Sequence, residues 1–457
     1  MKLTGRIVIS AMLVAALSSC HIYKKYELPE DNAVINQYRK ALEAPVDSSS
    51  LGNLGWEQTF TDPQLQTLIR TALANNKDLD NARLNVEIAQ AQLKGAKLSY
   101  FPSLAFAPNG GTASYGGSHM NWSYTLPLSA SWEIDAFGKI LNRKRAAEVG
   151  VQQAENYRCA VRSQIIGAVA NTYYAIAALN MQLEVSNQTA NLWEEQVKSM
   201  ELMKQAARVN EAAVVQTRAN YYAIRASIPD LEAAIHEAQN TMSLLLNTLP
   251  QTWPVTKDMK FTPPAELTAG VPMSYLAARP DVRAAENSFA MAYYATNSAR
   301  ANFYPSIVIS AQGGFTNLVG GLITNPGKWF IQLAGSLTAP LFSRGQNIAT
   351  LEAAKAQQQQ ALNNFQYTVL NASAEVSDAL VAYSTNVRKA EMLGKQIDEL
   401  EKSVDYTQQL LTLGQSTYLE VLTAQQGLLS AQLSEINSWH SQVSAMVSLY
   451  QALGGGR

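Results

Sequence analysis

Trp122-Ser123-Tyr124-Thr125-Leu126-Pro127-Leu128-Ser129-Ala130-Ser131-Trp132-Glu133-Ile134-Asp135 alternates without a break between two unlike sets of residues. Period two over this length belongs to a β-strand with two different faces. One face carries Trp122, Tyr124, Leu126, Leu128, Ala130, Trp132 and Ile134, and the other is mostly polar. A second alternating run spans Trp329 to Leu341, with Trp329, Ile331, Leu333, Leu337 and Leu341 on one face and Gln332, Ser336 and Thr338 on the other. Ser103 to Tyr115 and Ser306 to Phe315 alternate less cleanly, through Leu104, Phe106, Ile307, Ile309 and Phe315. Glycine-rich loops, Gly116-Gly117-Ser118-His119 and Gly320-Gly321 to Pro326-Gly327, join these runs into two predicted β-hairpins. Their lengths match the roughly 9–11 residues that cross a bilayer with tilt. Trp122, Tyr124, Trp132 and Trp329 fit the aromatic girdles at a membrane–water boundary.

Outside the hairpins the pattern changes period. No proline occurs between Pro127 and Pro229, and none after Pro340. Proline breaks helix interiors, so each gap has room for very long helices. Ile165, Val169, Tyr173, Ile176 and Leu183 follow three-to-four spacing. So do Leu362, Phe365, Val369, Val376, Leu380, Tyr383, Val387, Ile397, Leu400 and Val404, then Leu419, Leu422, Leu429, Leu433, Ile436, Val443, Val447 and Tyr450. Each set is a narrow apolar stripe on an otherwise polar helix, closer to a coiled-coil seam than to a globular core helix. Helix from Gly345 to Leu413 would reach on the order of 100 Å at about 1.5 Å per residue.

The two halves repeat. Lys77-Asp78-Leu79-Asp80-Asn81-Ala82-Arg83 is echoed by Arg279-Pro280-Asp281-Val282-Arg283-Ala284-Ala285, and Tyr100-Phe101-Pro102-Ser103 by Phe303-Tyr304-Pro305-Ser306. Asp78 to Asp281 and Pro102 to Pro305 share an offset of 203, and Val215 aligns with Val421 at 206. Each half reads as helix, hairpin and two long helices. The expected organisation is a signal peptide over 1–19, a lipidated N-terminal segment over 20–55, a first repeat over 56–248, a linker over 249–272 and a second repeat over 273–457.

Composition sets bounds on partners. The 457 residues carry a net charge of −1, which gives no electrostatic footprint for nucleic acid. Only 16% are charged and 47% apolar, which suits surfaces meeting both lipid and a water-filled lumen. Met1 to Arg6 is a positive n-region and Ile7 to Leu17 a short apolar stretch, the form of a secretory signal. It ends in Leu17-Ser18-Ser19-Cys20, which resembles a bacterial lipobox, so Cys20 is the expected lipidation site. His21, in place of Asp, favours sorting to the outer membrane. Removal of the signal leaves Cys159 as the one candidate free thiol, expected to be a small buried helix residue. No later run of 18 apolar residues exists, so a membrane crossing requires strands in a closed barrel. Four strands cannot close one without unpaired edges in lipid, so several chains must combine. Three copies would supply twelve strands and enclose a pore, whereas the interior of an eight-stranded barrel fills with side chains.

Further stretches carry a resemblance. They are Trp56 with Phe60-Thr61-Asp62-Pro63-Gln64-Leu65, Ala74-Asn75-Asn76-Lys77-Asp78-Leu79, Tyr100-Phe101-Pro102-Ser103, Trp132 to Lys139, Ile228-Pro229-Asp230-Leu231-Glu232, Ala278-Arg279-Pro280-Asp281-Val282-Arg283 and Ala339-Pro340-Leu341-Phe342. In this order, over nearly the whole mature chain, they resemble the TolC-like outer-membrane efflux family. Cys20 narrows the resemblance to its lipoprotein branch, the NodT-type outer-membrane factors of resistance-nodulation-division (RND) pumps. The resemblance implies a mainly α fold with a transmembrane β-barrel portion. In a homotrimer, a 12-stranded outer-membrane barrel continues into a periplasmic α-helical barrel whose tip is closed at rest. It also implies contact with outer-membrane lipid, a periplasmic adaptor (membrane fusion protein) and an inner-membrane RND pump that supplies the energy. The component itself would be a passive export duct for drugs or other small molecules, with no cofactor and no enzyme chemistry. The alternative within the resemblance is the outer-membrane duct of a type I protein-secretion system.

The family's closed tip is ringed by acidic residues at the start of the last helix. The matching stretch is Leu413-Gly414-Gln415-Ser416-Thr417-Tyr418-Leu419-Glu420-Val421-Leu422-Thr423-Ala424-Gln425. Glu420 and Thr423 fall where the family often has Asp, so Glu420 would give one carboxylate per chain and Thr423 departs from a double ring. Glu420 as an ordinary solvated helix carboxylate is the competing reading. Gly414 is expected to permit the turn between long helices, and the first-half counterpart, Arg208 to Thr217, lacks glycine and acid at the same place. Enzyme readings fare poorly. His21, His119, His236 and His440 show no paired ligand spacing. Gly321 to Lys328 resembles a phosphate loop, but Trp329 stands where Ser or Thr is needed. A periplasmic coiled-coil scaffold would explain the helices and leave the hairpins unexplained. Arg143-Lys144-Arg145 reads as a solvated helix start beside the inner rim of the barrel, with lipid-headgroup binding as the alternative.

Overall fold

The computed structural model describes residues 23–30, 32–43, 54–113, 120–256, 274–319 and 322–456. Cys20, His21, the Gly116-to-His119 loop, Gly320-Gly321 and residues 257–272 of the expected linker lie outside the described residues. The helices are α1 (Ala33–Glu43), α2 (Trp56–Thr59), α3 (Pro63–Asn75), α4 (Lys77–Leu98), α5 (Lys139–Gln205), α6 (Glu211–Leu245), α7 (Ser274–Ala278), α8 (Pro280–Ala301), α9 (Gln346–Thr412) and α10 (Tyr418–Ala452). The strands are β1 (Ser103–Phe106), β2 (Asn109–Ala113), β3 (Asn121–Ile134), β4 (Ser306–Val319) and β5 (Leu322–Thr338).

The duplication is visible in the lengths. The helices α4 and α8 both have 22 residues, α5 and α9 both 67, and α6 and α10 both 35. Backbone geometry repeats as well. Gly138, Ala207 and Asn247 have φ of 69°, 55° and 54°, and Gly345, Gly414 and Gly454, each 207 further on, have 76°, 71° and 80°. The offset is therefore 203 up to the first strand of each hairpin and 207 beyond it. Val421 pairs with buried Val214, and not with Val215, which is 51% exposed. The 206 alignment is one residue out because adjacent valines cannot be told apart without the turn.

Further expectations are corrected. Ser103 to Tyr115 is not one strand: it divides at Ala107-Pro108, where proline has no N–H for the ladder. The part of the expected loop from Leu322 to Gly327 is strand instead, since β5 begins at Leu322. Gly327 allows this, because a Cβ there would lie 2.8 Å from the Thr316 carbonyl oxygen. Pro229, expected to bound a helix, lies inside α6.

All described strands form one antiparallel sheet, four strands wide, in which β1 and β2 succeed one another along β3, followed by β4 and β5. The two hairpins join at β3 and β4, from Thr125 opposite Thr316 to Ile134 opposite Ile307. Both outer edges, β1 with β2 and β5, have no strand partner among the described residues.

The chain divides into two compact units, and each draws on both repeats. One comprises the chain through Glu30, Leu84–Asn156 and Arg283–Tyr367, and holds the sheet with the adjoining parts of α4, α5, α8 and α9. The other comprises Asp31–Arg83, Tyr157–Val282 and Thr368–Arg457. In the second unit part of the predicted stripes is core: Val169, Tyr173, Ile176, Val443, Val447 and Tyr450 are all 0% exposed, while Leu380, Tyr383, Ile397, Leu400 and Val404 are half-buried. Phe60 meets Tyr450 edge-on, with ring centroids 5.6 Å apart. Val387 and Leu419, counted in the stripes, are exposed. Arg279, just before α8, is buried; its guanidinium donates to Asp281 at 2.6 and 3.0 Å, to Glu375 at 2.7 Å and to the Ala452 carbonyl at 3.1 Å.

Candidate functional site

The apolar face of the sheet is exposed. Trp122 is 71% exposed, Trp329 71%, Ile331 71% and Leu333 76%. Leu104, Phe106, Leu126, Leu128 and Phe315 are exposed as well. A contiguous apolar surface of this kind marks lipid or a partner, and the alternation with polar residues on the other face is that of membrane strands. Trp132 donates its indole N–H to the Tyr100 carbonyl at 2.9 Å, the anchored geometry of an interfacial tryptophan. Asn317, which sequence reasoning missed, sits in the β4 bulge between Thr316 and Leu318. Its side-chain oxygen accepts from Tyr124 N–H at 2.6 Å and its amide donates to the Trp122 carbonyl at 2.8 Å, so a side chain continues the ladder beyond Thr316. No pattern in the sequence marks it.

In the second unit, two helix turns pair by the repeat. Both long helices end in a Schellman motif: Arg208 N–H donates to Met203 O and Gln415 N–H to Leu410 O, each at 2.9 Å. Gly414 takes the left-handed position as predicted, with φ of 71°. Its counterpart is Ala207, one residue before the expected stretch, and there a Cβ is strained. Ala207→Gly is expected to stabilise this turn by about 0.5–1 kcal/mol, seen as slower hydrogen exchange at Arg208. Unchanged exchange would count against strain at that position.

Asn210 caps α6 by accepting from Ala213 N–H at 3.0 Å. Thr417 holds the equivalent position before α10, where the Glu420 carboxylate accepts from Thr417 N–H at 3.4 Å and from the Ser416 hydroxyl. The Ser416 hydroxyl, then the Thr417 N–H, hold the Glu420 carboxyl below its usual range. A depressed carboxyl contributes stability above its unfolded pKa and loses it as pH falls through the folded one. The first turn of α10 is thus expected to fray in acid below the ordinary carboxylate range, read by amide exchange at Leu419 and Glu420; the Glu420→Gln variant should lack this pH dependence. Glu420 and Thr423 are both exposed, one turn apart on α10. The Thr423 hydroxyl donates back to the Leu419 carbonyl at 2.8 Å.

Behind the turns lies a cluster of Trp193, Met200, Val214, Tyr418 and Leu422, with Leu411 packed against it. It ties α5, α6 and α10 together; of its members only Leu422 stood in a predicted stripe. Burial pushes the Tyr418 phenol up.

The remaining predicted positions are dispersed. Cys159 is half-buried on α5 and not fully buried, since it lines a surface groove with Arg158 and Arg162. Lys144 pairs with Glu148 at 3.4 Å, and the Arg145 guanidinium lies 5.9 Å from the Tyr294 ring centre. His236 and His440 lie on α6 and α10, and no group of His, Cys, Asp and Glu able to hold a metal occurs among the described residues. The phosphate-loop stretch from Leu322 to Lys328 is β5 strand.

Known proteins share this arrangement. The chain is 28% identical to the cation efflux system protein CusC of Escherichia coli O6:H1 over 453 residues, 96% of each chain. It is 28% identical to the probable efflux pump outer membrane protein TtgC of Pseudomonas putida, over 98% of this chain and 94% of that one. With the probable outer membrane lipoprotein SilC of Salmonella typhimurium it shares 29%, over 89% of each. A crystal structure of CusC superposes with a TM-score of 0.84 at 26% identity, covering 95% of this chain and 100% of that one. The open-state MtrE channel of Neisseria gonorrhoeae gives 0.79 at 26%, covering 96% and 98%. The fold is thus that of the helix–hairpin–helix–helix proteins that assemble trimeric barrels in the outer membrane and periplasm. The model of the family described as outer membrane efflux protein matches residues 68–248 and 271–455, and the chain belongs to that family.

Proposed function

We propose that the chain is the passive outer-membrane duct of a tripartite RND-type efflux pump, working as a homotrimer. The observation that carries this is the open-edged sheet with an apolar outward face. A sheet four strands wide leaves edge N–H and C=O groups unpaired, at several kcal/mol each in lipid, and three copies supply twelve strands. A periplasmic adaptor and an inner-membrane pump complete the path, and the pump supplies the energy. The relatives' names range from cation efflux to solvent and antibiotic efflux, so the cargo is read as small molecules without a single chemical class.

Cys20 is proposed as a lipid anchor. Tyr23 packs its ring on Gly138, at the turn between β3 and α5, and Tyr26 packs edge-on against Phe289 and Tyr293. The lipoprotein character given to SilC by its name agrees. Cys20→Ser is expected to abolish labelling by radioactive palmitate, and retained label would remove the anchor from the proposal.

At the α9–α10 turn, Glu420 is proposed to line the periplasmic constriction, with Gly414 setting the turn and Thr423 beside it. Three carboxylates would favour cations, so Glu420→Ala should lower the cation selectivity of the reconstituted channel; unchanged selectivity would remove Glu420 from the gate. The function itself is tested in cells whose adaptor and pump genes are intact. Deleting this chain should raise retention of ethidium or silver ion, and restoring it should reverse that. No change with either probe would contradict the pump assignment.

A further inference from the structure

A cavity in the second unit carries an unbalanced charge. On α5 the buried stripe of Tyr173, Val169 and Ile166 continues at three-to-four spacing into Arg162 and Cys159, with Arg158 beside it. These side chains meet the end of α3 and the start of α4 around a cavity of about 660 Å³. Small-molecule sites have roughly 300–1,000 Å³. Lys77, Arg83, Arg158 and Arg162 line it, and Asp80 is the one carboxylate among the described residues of its wall. Arg83 already holds Asp80 at 3.0 Å. Arg162 gives one N–H to the Gly456 carbonyl at 2.7 Å. The Lys77 and Arg158 side chains are exposed and have no hydrogen-bond or ion-pair partner among the described residues.

The second repeat treats the same positions differently. By the offsets of 203 and 207, Leu73 and Ala74 correspond to Leu276 and Ala277, and Arg158 and Arg162 to Phe365 and Val369. Phe365 is 0% exposed and Val369 1%. Leu276 and Ala277 are buried too, and α1 packs on α7 with its own Ile35, Tyr38 and Ala41 buried. The first repeat has guanidinium groups where the second has buried apolar side chains, and Ala74 is exposed where Ala277 is covered. A gap left by poor packing keeps apolar walls and stays dry. Walls of one sign of charge do the opposite: they focus the field and concentrate counter-ions.

We infer that this cavity is a binding site for a small phosphate-bearing anion. A phosphate group brings a charge of about −1.5 to −2 and three acceptor oxygens. Guanidinium forks match it with paired N–H donors, and Lys77 adds a compact point charge. A carboxylate brings one charge and two oxygens, so it balances less of the excess of Lys77, Arg83, Arg158 and Arg162 over Asp80. A free phosphate compound and a lipid headgroup phosphate offer the same chemistry. The site is separate from the residues placed at the gate, and the inference holds whether or not the chain conducts.

Cys159, half-buried in the cavity wall, is the reporter. The full chain is extracted in detergent, and modification is read at Cys159 by mass spectrometry. A sulfonate-bearing methanethiosulfonate should react faster than its trimethylammonium counterpart, by about tenfold. Lys77→Gln with Arg158→Gln should remove that preference at unchanged native mass, since both side chains are exposed and unbonded. Equal rates for the two reagents in the unmodified protein would overturn the charged cavity. Pyrophosphate should then slow the reaction with uncharged N-ethylmaleimide saturably, each protein being compared with its own rate without ligand. The double variant should lose this protection, and sodium chloride at the same ionic strength should not reproduce it. Equal protection by chloride would mean screening alone and would overturn the site. In a second arm the protein is reconstituted into phosphatidylcholine vesicles with and without phosphatidylglycerol. Protection by phosphatidylglycerol and not by pyrophosphate would assign the site to a lipid headgroup; the reverse would assign it to a free phosphate compound. Protection by neither would contradict the inference.

Discussion

Ile331→Arg is expected to prevent stable insertion of the barrel. Ile331 stands on the outward face of β5 beside Trp329 and Leu333, 71% exposed. An arginine facing lipid near the bilayer midplane costs about 2–4 kcal/mol, and the trimer would carry it three times. The loss should appear as a fall in heat-modifiable trimer in outer membranes. Gln332→Arg, on the opposite face of the same strand, should leave assembly unchanged because in the proposed barrel that side chain faces the water-filled lumen. Equal assembly of the two variants would mean that the apolar face does not meet lipid.

Arg279→Ala is expected to destabilise the second compact unit by about 3 kcal/mol, because removing one partner of a buried ion pair costs roughly 3–5 kcal/mol. The guanidinium is buried and joins the start of α8 to Glu375 on α9 and to the last turn of α10. The lower end applies because the Asp281 and Glu375 side chains are 43% and 46% exposed, so water can solvate them. Amide exchange at Leu449 to Ala452 should accelerate about a hundredfold. Arg279→Lys keeps the charge and loses the planar fork, so it should fall between the two. Exchange in Arg279→Ala at the unaltered rate would show that packing alone holds these helices.

Much of this architecture was legible because its periods are long and clean. The alternation from Trp122 to Asp135 became β3, and the proline-free stripes became α5 and α9. Features set by tertiary geometry were less visible. The joining of the two hairpins through β3 and β4 leaves no local trace, since pairing between distant strands follows from how their faces align. Pro229 inside α6 contradicts its own local preference, and the surrounding helix overrides it. Ala207 in a left-handed turn could be found only from the turn itself, because alanine carries no signal for positive φ. For Glu420, the motif supplied a position, while its bonds to Ser416 and Thr417 show that it also caps its own helix. A carboxylate can line a constriction and cap a helix at once, so the local bonds leave the gate proposal to the selectivity measurement.

The central claim is a trimeric duct, and single-channel recording of the detergent-extracted protein in a planar bilayer, with native mass measured on the same sample, tests it most directly. Discrete conductance steps from a species of trimer mass are the expected result, with small or rare openings where the helix turns close the tip. A monomer that never conducts would contradict the account and leave the long helices as a periplasmic scaffold.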